Sequence, residues 1–121
     1  MGTVFTTVGE RKVADLWDGS TTAPAGFWIG WGTSTQASAK GDGDLVAAAA
    51  EARVTATLSQ PTTNVNRSVG TITAASSKEI GEAGLFASSS AGTAMFVRGD
   101  FTKVALAAND SIQFTFDITW S

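Results

Sequence analysis

The sequence predicts an all-β protein: a single-domain β-sandwich or jelly-roll-like barrel with one short N-terminal helix. Three observations predict it. Short runs rich in Val, Ile, Thr and Phe alternate with clusters of Gly, Ser, Asn and Asp along the chain. The segment NDSIQFTFDITWS, Asn109 to Ser121, sets Ile112, Phe114, Phe116, Ile118 and Trp120 in one row and Gln113, Thr115, Asp117 and Thr119 in the other, the two-residue period of a half-buried strand. A chain of 121 residues is one domain, large enough to bury about two-thirds of the surface it exposes when unfolded.

The opening MGTVFTT places Val4 and Phe5 in a segment with little local core of its own. It suits either an arm, residues 1–9, that docks on a neighbouring subunit or an ordinary first strand of the sheet. TTVGERKVADLWDG follows with the capping-box spacing Thr7-x-x-Glu10. Val13, Leu16 and Trp17 fall at i, i+3, i+4 and Gly19 can stop the turn, which predicts a short helix. After the loop STTAPA, GFWIGWGT, Gly26 to Thr33, reads as a strand in which Gly30 and Gly32 allow close backbone approach or a bulge. Trp28 and Trp31 suggest a stacking or sugar-binding pair. Core or subunit packing weighs more, because large aromatics dominate both.

Two readings stay open for Ser34 to Arg53. Asp42 or Asp44 could cap an alanine-rich helix through Arg53; a long surface loop that only touches the sheet fits as well. GDGD there resembles a fragment of a calcium loop without the closing glutamate at the right offset, so a plain turn is the stronger reading.

From Arg53 onward the chain reads as β. RVTATLS alternates Val54, Ala56 and Leu58 inward, QPTTNVN turns, and RSVGTITA returns through Val69 and Ile72. EAGLF, ASSSAGT and AMFVRGDF make a second hairpin, and TKVALAAND leads into the closing strand. Burying the apolar row of that strand should contribute on the order of 10 kcal/mol before entropy, at about 1.5–3 kcal/mol per large side chain.

The composition narrows the chemistry. With no histidine and no cysteine, the Ser-His-Asp and Cys-His arrangements and the usual zinc sites cannot be built. No enzymatic activity, catalytic residue, metal or cofactor is expected. The carboxylate pairs Asp15/Asp18, Asp42/Asp44 and Glu79/Glu82 sit among turn or cap residues and are expected to be solvated. SSKE, Ser76 to Glu79, lies in a polar loop without the apolar wall that lysine-assisted serine catalysis needs. VRGD, Val97 to Asp100, holds the triplet used by integrin ligands but falls within strand character. A net charge of -3 and a pI near 4.7 offer no basic field for nucleic acid. No apolar run approaches the roughly 20 residues that cross a bilayer, and the N-terminus lacks a basic head followed by an apolar run. A soluble protein made in the cytoplasm is expected, without nucleic acid or membrane as partner.

Three segments, FWIGWGTST, EIGEAGLFASSSAGTAMFVRGDF and LAANDSIQFTFDITWS, resemble small all-β proteins encoded in the structural-gene regions of tailed bacteriophages. In those families an apolar strand ending in Gly-Thr precedes a long Ala/Asp loop. A Glu-x-Gly-Leu-Phe strand then turns into one ending in Arg-Gly-x-Phe, and a Gly/Asn-Asp-Ser-Ile-Gln-Phe strand closes the chain. The resemblance implies a virion building block, either a capsid decoration (cement) protein or a tail-fibre or baseplate module. The chain departs from the fibre type, having no heptads and no Gly-X-Y run, which favours decoration. Implied with it are the virion surface as location, synthesis in the bacterial host cytoplasm, the major capsid protein as partner, and a homo-oligomer, a trimer in the first instance. Val4, Phe5, Trp28 and Trp31 are the candidate subunit or capsid contacts. A carbohydrate-binding β-sandwich using Trp28 and Trp31 is the third reading.

Overall fold

A computed structural model describes residues 2–89 and 95–120. Along them run β1 (Gly2–Phe5), α1 (Thr7–Trp17), β2 (Trp28–Gly32), β3 (Val54–Thr55), β4 (Thr57–Thr62), β5 (Val65–Thr73), β6 (Lys78–Phe86), β7 (Met95–Leu106) and β8 (Ser111–Thr119). The protein is mostly β with one short helix among the described residues. Its strands form two antiparallel sheets, one ordered β1-β7-β6-β2-β3 and the other β4-β5-β8.

The sheets share one core. Ile29 and Trp31 from β2, Ala83 and Leu85 from β6 and Val97 from β7 meet Ile72 of β5 and Phe116 of β8 in a single cluster. The closing strand behaves as its alternation requires. It pairs with β5 without a break from Val65↔Thr119 to Thr73↔Ser111. Phe116 is buried, Ile112, Phe114 and Ile118 are partly buried, and Gln113, Thr115, Asp117 and Thr119 are exposed.

Elsewhere the chain departs from simple periodicity. RVTATLS is two strands, since Val54 and Thr55 pair with β2 while Thr57 onward pairs with β5. Buried Ala56 marks the change of sheet, its amide donating to Phe27 O at 2.8 Å. Gln60 to Thr62 continue β4, so the turn expected over QPTTNVN contracts to Thr63 and Asn64. Leu58 stands opposite Ser68 on the core-facing row yet is 51% exposed. Val69 is half-buried and faces away from the core, because the inward row of β5 is Ser68, Gly70 and Ile72. β6 and β7 pair as the second hairpin requires; most of the connecting ASSSAGT lies outside the described residues.

The helix starts one residue earlier than the capping box suggests. Thr6 is the N-cap: its hydroxyl accepts from Gly9 N at 3.1 Å and donates to Met95 O at 2.5 Å, with the residue fully buried. Glu10 does not reach back to a cap; its carboxylate meets Lys40 Nζ at 2.5 Å. Gly19, at φ 79°, adopts the left-handed conformation past the helix end that a glycine takes without penalty. Val13 and Leu16 are half-buried, whereas Trp17 is 92% exposed.

Candidate contact surfaces

Successive residues of a strand point to opposite faces, and this decides where the four candidate contact residues go. Val4 and Phe5 lie on β1, which pairs with β7 through Val4↔Arg98 and Phe5↔Val97. Phe5 meets Phe96 edge-on with centroids 6.1 Å apart and Trp120 at 5.9 Å. Of the two readings of the N-terminal segment, this is the edge strand of the chain's own sheet.

Trp28 and Trp31, three residues apart on β2, project from opposite faces. Trp31 is 1% exposed, its ring edge-on to Phe114 at 6.3 Å and its Nε1 donating to Glu51 Oε1 at 3.0 Å. Trp28 is half-buried on the other face. They therefore form no common stacking platform.

The face of the larger sheet turned away from the core holds a buried ionic cluster. Glu82 and Arg98 are both fully buried, with Arg98 Nη2 3.0 Å and Nε 3.1 Å from Glu82 Oε1. Glu82 also accepts from the backbone amides of Val46 at 2.9 Å, Ala47 at 2.8 Å and Ser34 at 3.3 Å. Arg98 Nη1 donates to Gln36 O at 3.0 Å and Ser38 Oγ at 3.2 Å, and lies 3.4 Å from Asp42 Oδ2. Asp100 takes the hydroxyl of Ser38 at 2.7 Å and its amide at 2.9 Å, which hold its carboxyl below the usual carboxylate range.

These contacts fasten residues 34–47 across the sheet as an irregular strap, so the alanine-rich helix does not form. A strap must satisfy its backbone polar groups without a helical ladder, and buried side chains that accept several amides supply that. Gly32 makes room, since a Cβ there would fall 2.4 Å from Glu82 Oε2 and 2.5 Å from Ala47 O. The expectation that Glu82 is a solvated carboxylate is thus overturned. The Arg-Gly-Asp triplet is likewise unavailable to a receptor, because its arginine is buried in this cluster.

A second cluster lies a few residues past the strap. Glu51 accepts from Trp31, from Ala75 N at 2.9 Å and from Lys78 Nζ. Burial pushes its carboxyl up, but Lys78, the Ala75 amide and the Trp31 indole together outweigh burial and bring it down to about 2. Glu51 is therefore held as the carboxylate, and Lys78 is its counter-ion. Among the described residues no group of three or more Asp or Glu side chains is placed to hold a metal ion.

Large apolar groups are instead left at the surface. Between α1 and the smaller sheet lies a groove of about 280 Å³ lined by Phe5, Leu16, Phe27, Leu58, Ile118 and Trp120. Trp120 is 42% exposed, and Trp17 projects from the helix end. Composition counted the aromatics, but which of them stay outside depends on the sheet crossing at Ala56 and on helix phase, which periodicity does not give.

No family model, curated protein or solved structure matches the chain.

Proposed function

We propose that this protein is a non-enzymatic structural component of a tailed-phage virion, a capsid decoration protein that binds the outer shell and stabilises it. The observation that carries the reading is Trp17, 92% exposed on the helix whose Leu16 lines an apolar groove, while Glu82, Arg98 and Asp100 are engaged in holding the strap and Glu51 and Lys78 are engaged with each other. Exposed large apolar groups rimmed by polar ones mark contact surfaces. The two stacked sheets fit a β-sandwich, and the three segments quoted above supply the likeness to virion proteins.

In this reading copies of the chain form a trimer on the major capsid protein, each weak contact reinforced by the others through high effective concentration. Electron microscopy of virions carrying a labelled copy tests it. A regular array over the shell is expected, together with earlier rupture of stripped shells on heating. A few copies confined to the tail would instead make the protein a tail module, and virions without it would overturn the reading.

A further inference from the structure

The four sheet edges are unequally guarded. β1 has four residues and β3 two. β4 carries Pro61 and a register irregularity between Ser59 and Thr62. Shortness, proline and bulges keep edges from pairing with other chains. β8 has none of these: it is nine residues long, contains no proline, lysine or arginine, and keeps an unbroken register with β5.

Its hydrogen-bonding side can be read from its ends. Trp120 N donates to Asn64 O and Ala74 N to Asp110 O, both at 2.8 Å. In an antiparallel ladder, bonded pairs alternate. Even-numbered residues of β8 therefore turn their backbone groups to β5, and Gln113, Thr115 and Asp117 turn theirs to the open side. Among the described residues nothing meets those outward groups.

Beside the open edge lies a trough of about 410 Å³, bounded by Thr115 and Phe116 of β8 and floored by Thr3, Val97, Gly99 and Phe101 of the larger sheet. The larger sheet extends past β8, leaving a place for one more strand of the smaller sheet. We propose that this is a strand-acceptor site. It takes an extended segment of a partner protein whose backbone bonds Gln113, Thr115 and Asp117 and whose alternate, aliphatic side chains fill the trough. The residue opposite Asp117 is not acidic, since like charges directly opposed destabilise a sheet. A second copy's β8 does not fit: edge-to-edge pairing about a two-fold axis would drive the overhanging β1 and β7 of both copies into the same space. The occupant is therefore a segment with no covering sheet of its own, and the inference stands apart from the virion reading.

The test uses a nine-residue peptide matching the length of β8, alternating valine and threonine and flanked by lysines. A peptide of the same composition with its valines consecutive is the comparison. At about ten times Kd the alternating peptide should slow amide exchange at Gln113, Thr115 and Asp117 about tenfold. Thr115→Pro removes a donor from the open side and none from the β5 ladder, and should abolish binding. Gly99→Val raises the trough floor and should weaken binding about fivefold or more. A Cβ at Gly99 meets only Thr3 Oγ1 at 3.5 Å and Gly2 O at 3.8 Å, so this variant decides the matter if Thr115→Pro does not fold. Unchanged exchange at about 1 mM peptide, equal protection by both peptides, or undiminished binding by folded Gly99→Val would overturn the proposal.

Discussion

Arg98 and Glu82 form an ion pair at 3.0 Å in which neither side chain reaches solvent. Removing one member of such a pair strands a buried charge, and this dominates its energetics. Arg98→Ala should therefore destabilise the protein by about 3–5 kcal/mol, measured by denaturant unfolding. A loss below about 1 kcal/mol would mean that the pair behaves like a solvated one and does not hold the strap.

Gly32 and Gly99 make a matched comparison of room beneath a strand. A Cβ at Gly32 collides with Glu82 Oε2 and Ala47 O, whereas at Gly99 it finds ordinary contact distances. Gly32→Ala should cost about 1–3 kcal/mol as an overpacked site, and Gly99→Ala should lie within about 0.5 kcal/mol of wild type. Equal effects in urea melts would show that the strap can shift away from β2.

The legible part of this fold was local. Alternation of Ile112, Phe114 and Phe116 with Gln113, Thr115 and Asp117 is a property of neighbours, and it located both β8 and its faces. A loop lying on the sheet is one of the two readings open for Ser34 to Arg53, but its anchoring was illegible because Glu82, Arg98 and Asp42 are far apart in sequence, and each alone reads as a surface charge. One signal was present: Gly32 stands opposite Glu82 in the β2–β6 register, and glycine beside a strand acid marks space reserved for something passing over it. The capping register failed by one residue because Thr6 and Thr7 are adjacent, and only burial against Met95 chooses Thr6.

The Glu51 carboxyl, lowered to about 2 in the folded chain against 4.5 otherwise, sets an acid limb of stability. A depressed carboxylate stabilises the fold above its unfolded pKa and loses that contribution as pH falls through its folded value. Wild-type stability should thus decline between about pH 4.5 and 2, and Glu51→Gln should flatten this decline while lowering stability near neutral pH. Parallel pH profiles for the two proteins would remove Glu51 as the cause.

β1 is a test of how the N-terminus is used. Because it pairs with β7 and carries Phe5 against Phe96 and Trp120, deleting residues 1–5 should destabilise the isolated chain by several kcal/mol, at about 3–5 kcal/mol for the loss of a packed Phe alone. A truncated chain that melts like wild type but assembles poorly would show that the segment serves a neighbour instead.

Trp17 and Trp31 separate contact from core. Trp31 is closed in by Phe114 and Glu51, so Trp31→Ala should cost about 3–5 kcal/mol. Trp17 touches little within its own chain, and Trp17→Ser should leave stability within about 0.5 kcal/mol. If Trp17 is a contact anchor, its replacement should still weaken attachment, since truncating a buried aromatic at an interface centre costs about 2 kcal/mol or more, roughly thirtyfold in affinity. Shells reloaded with the Trp17→Ser protein should then hold fewer copies at equal concentration and rupture at lower temperature. Full occupancy by that variant would remove Trp17 from the contact and leave the proposed function without the observation that carries it.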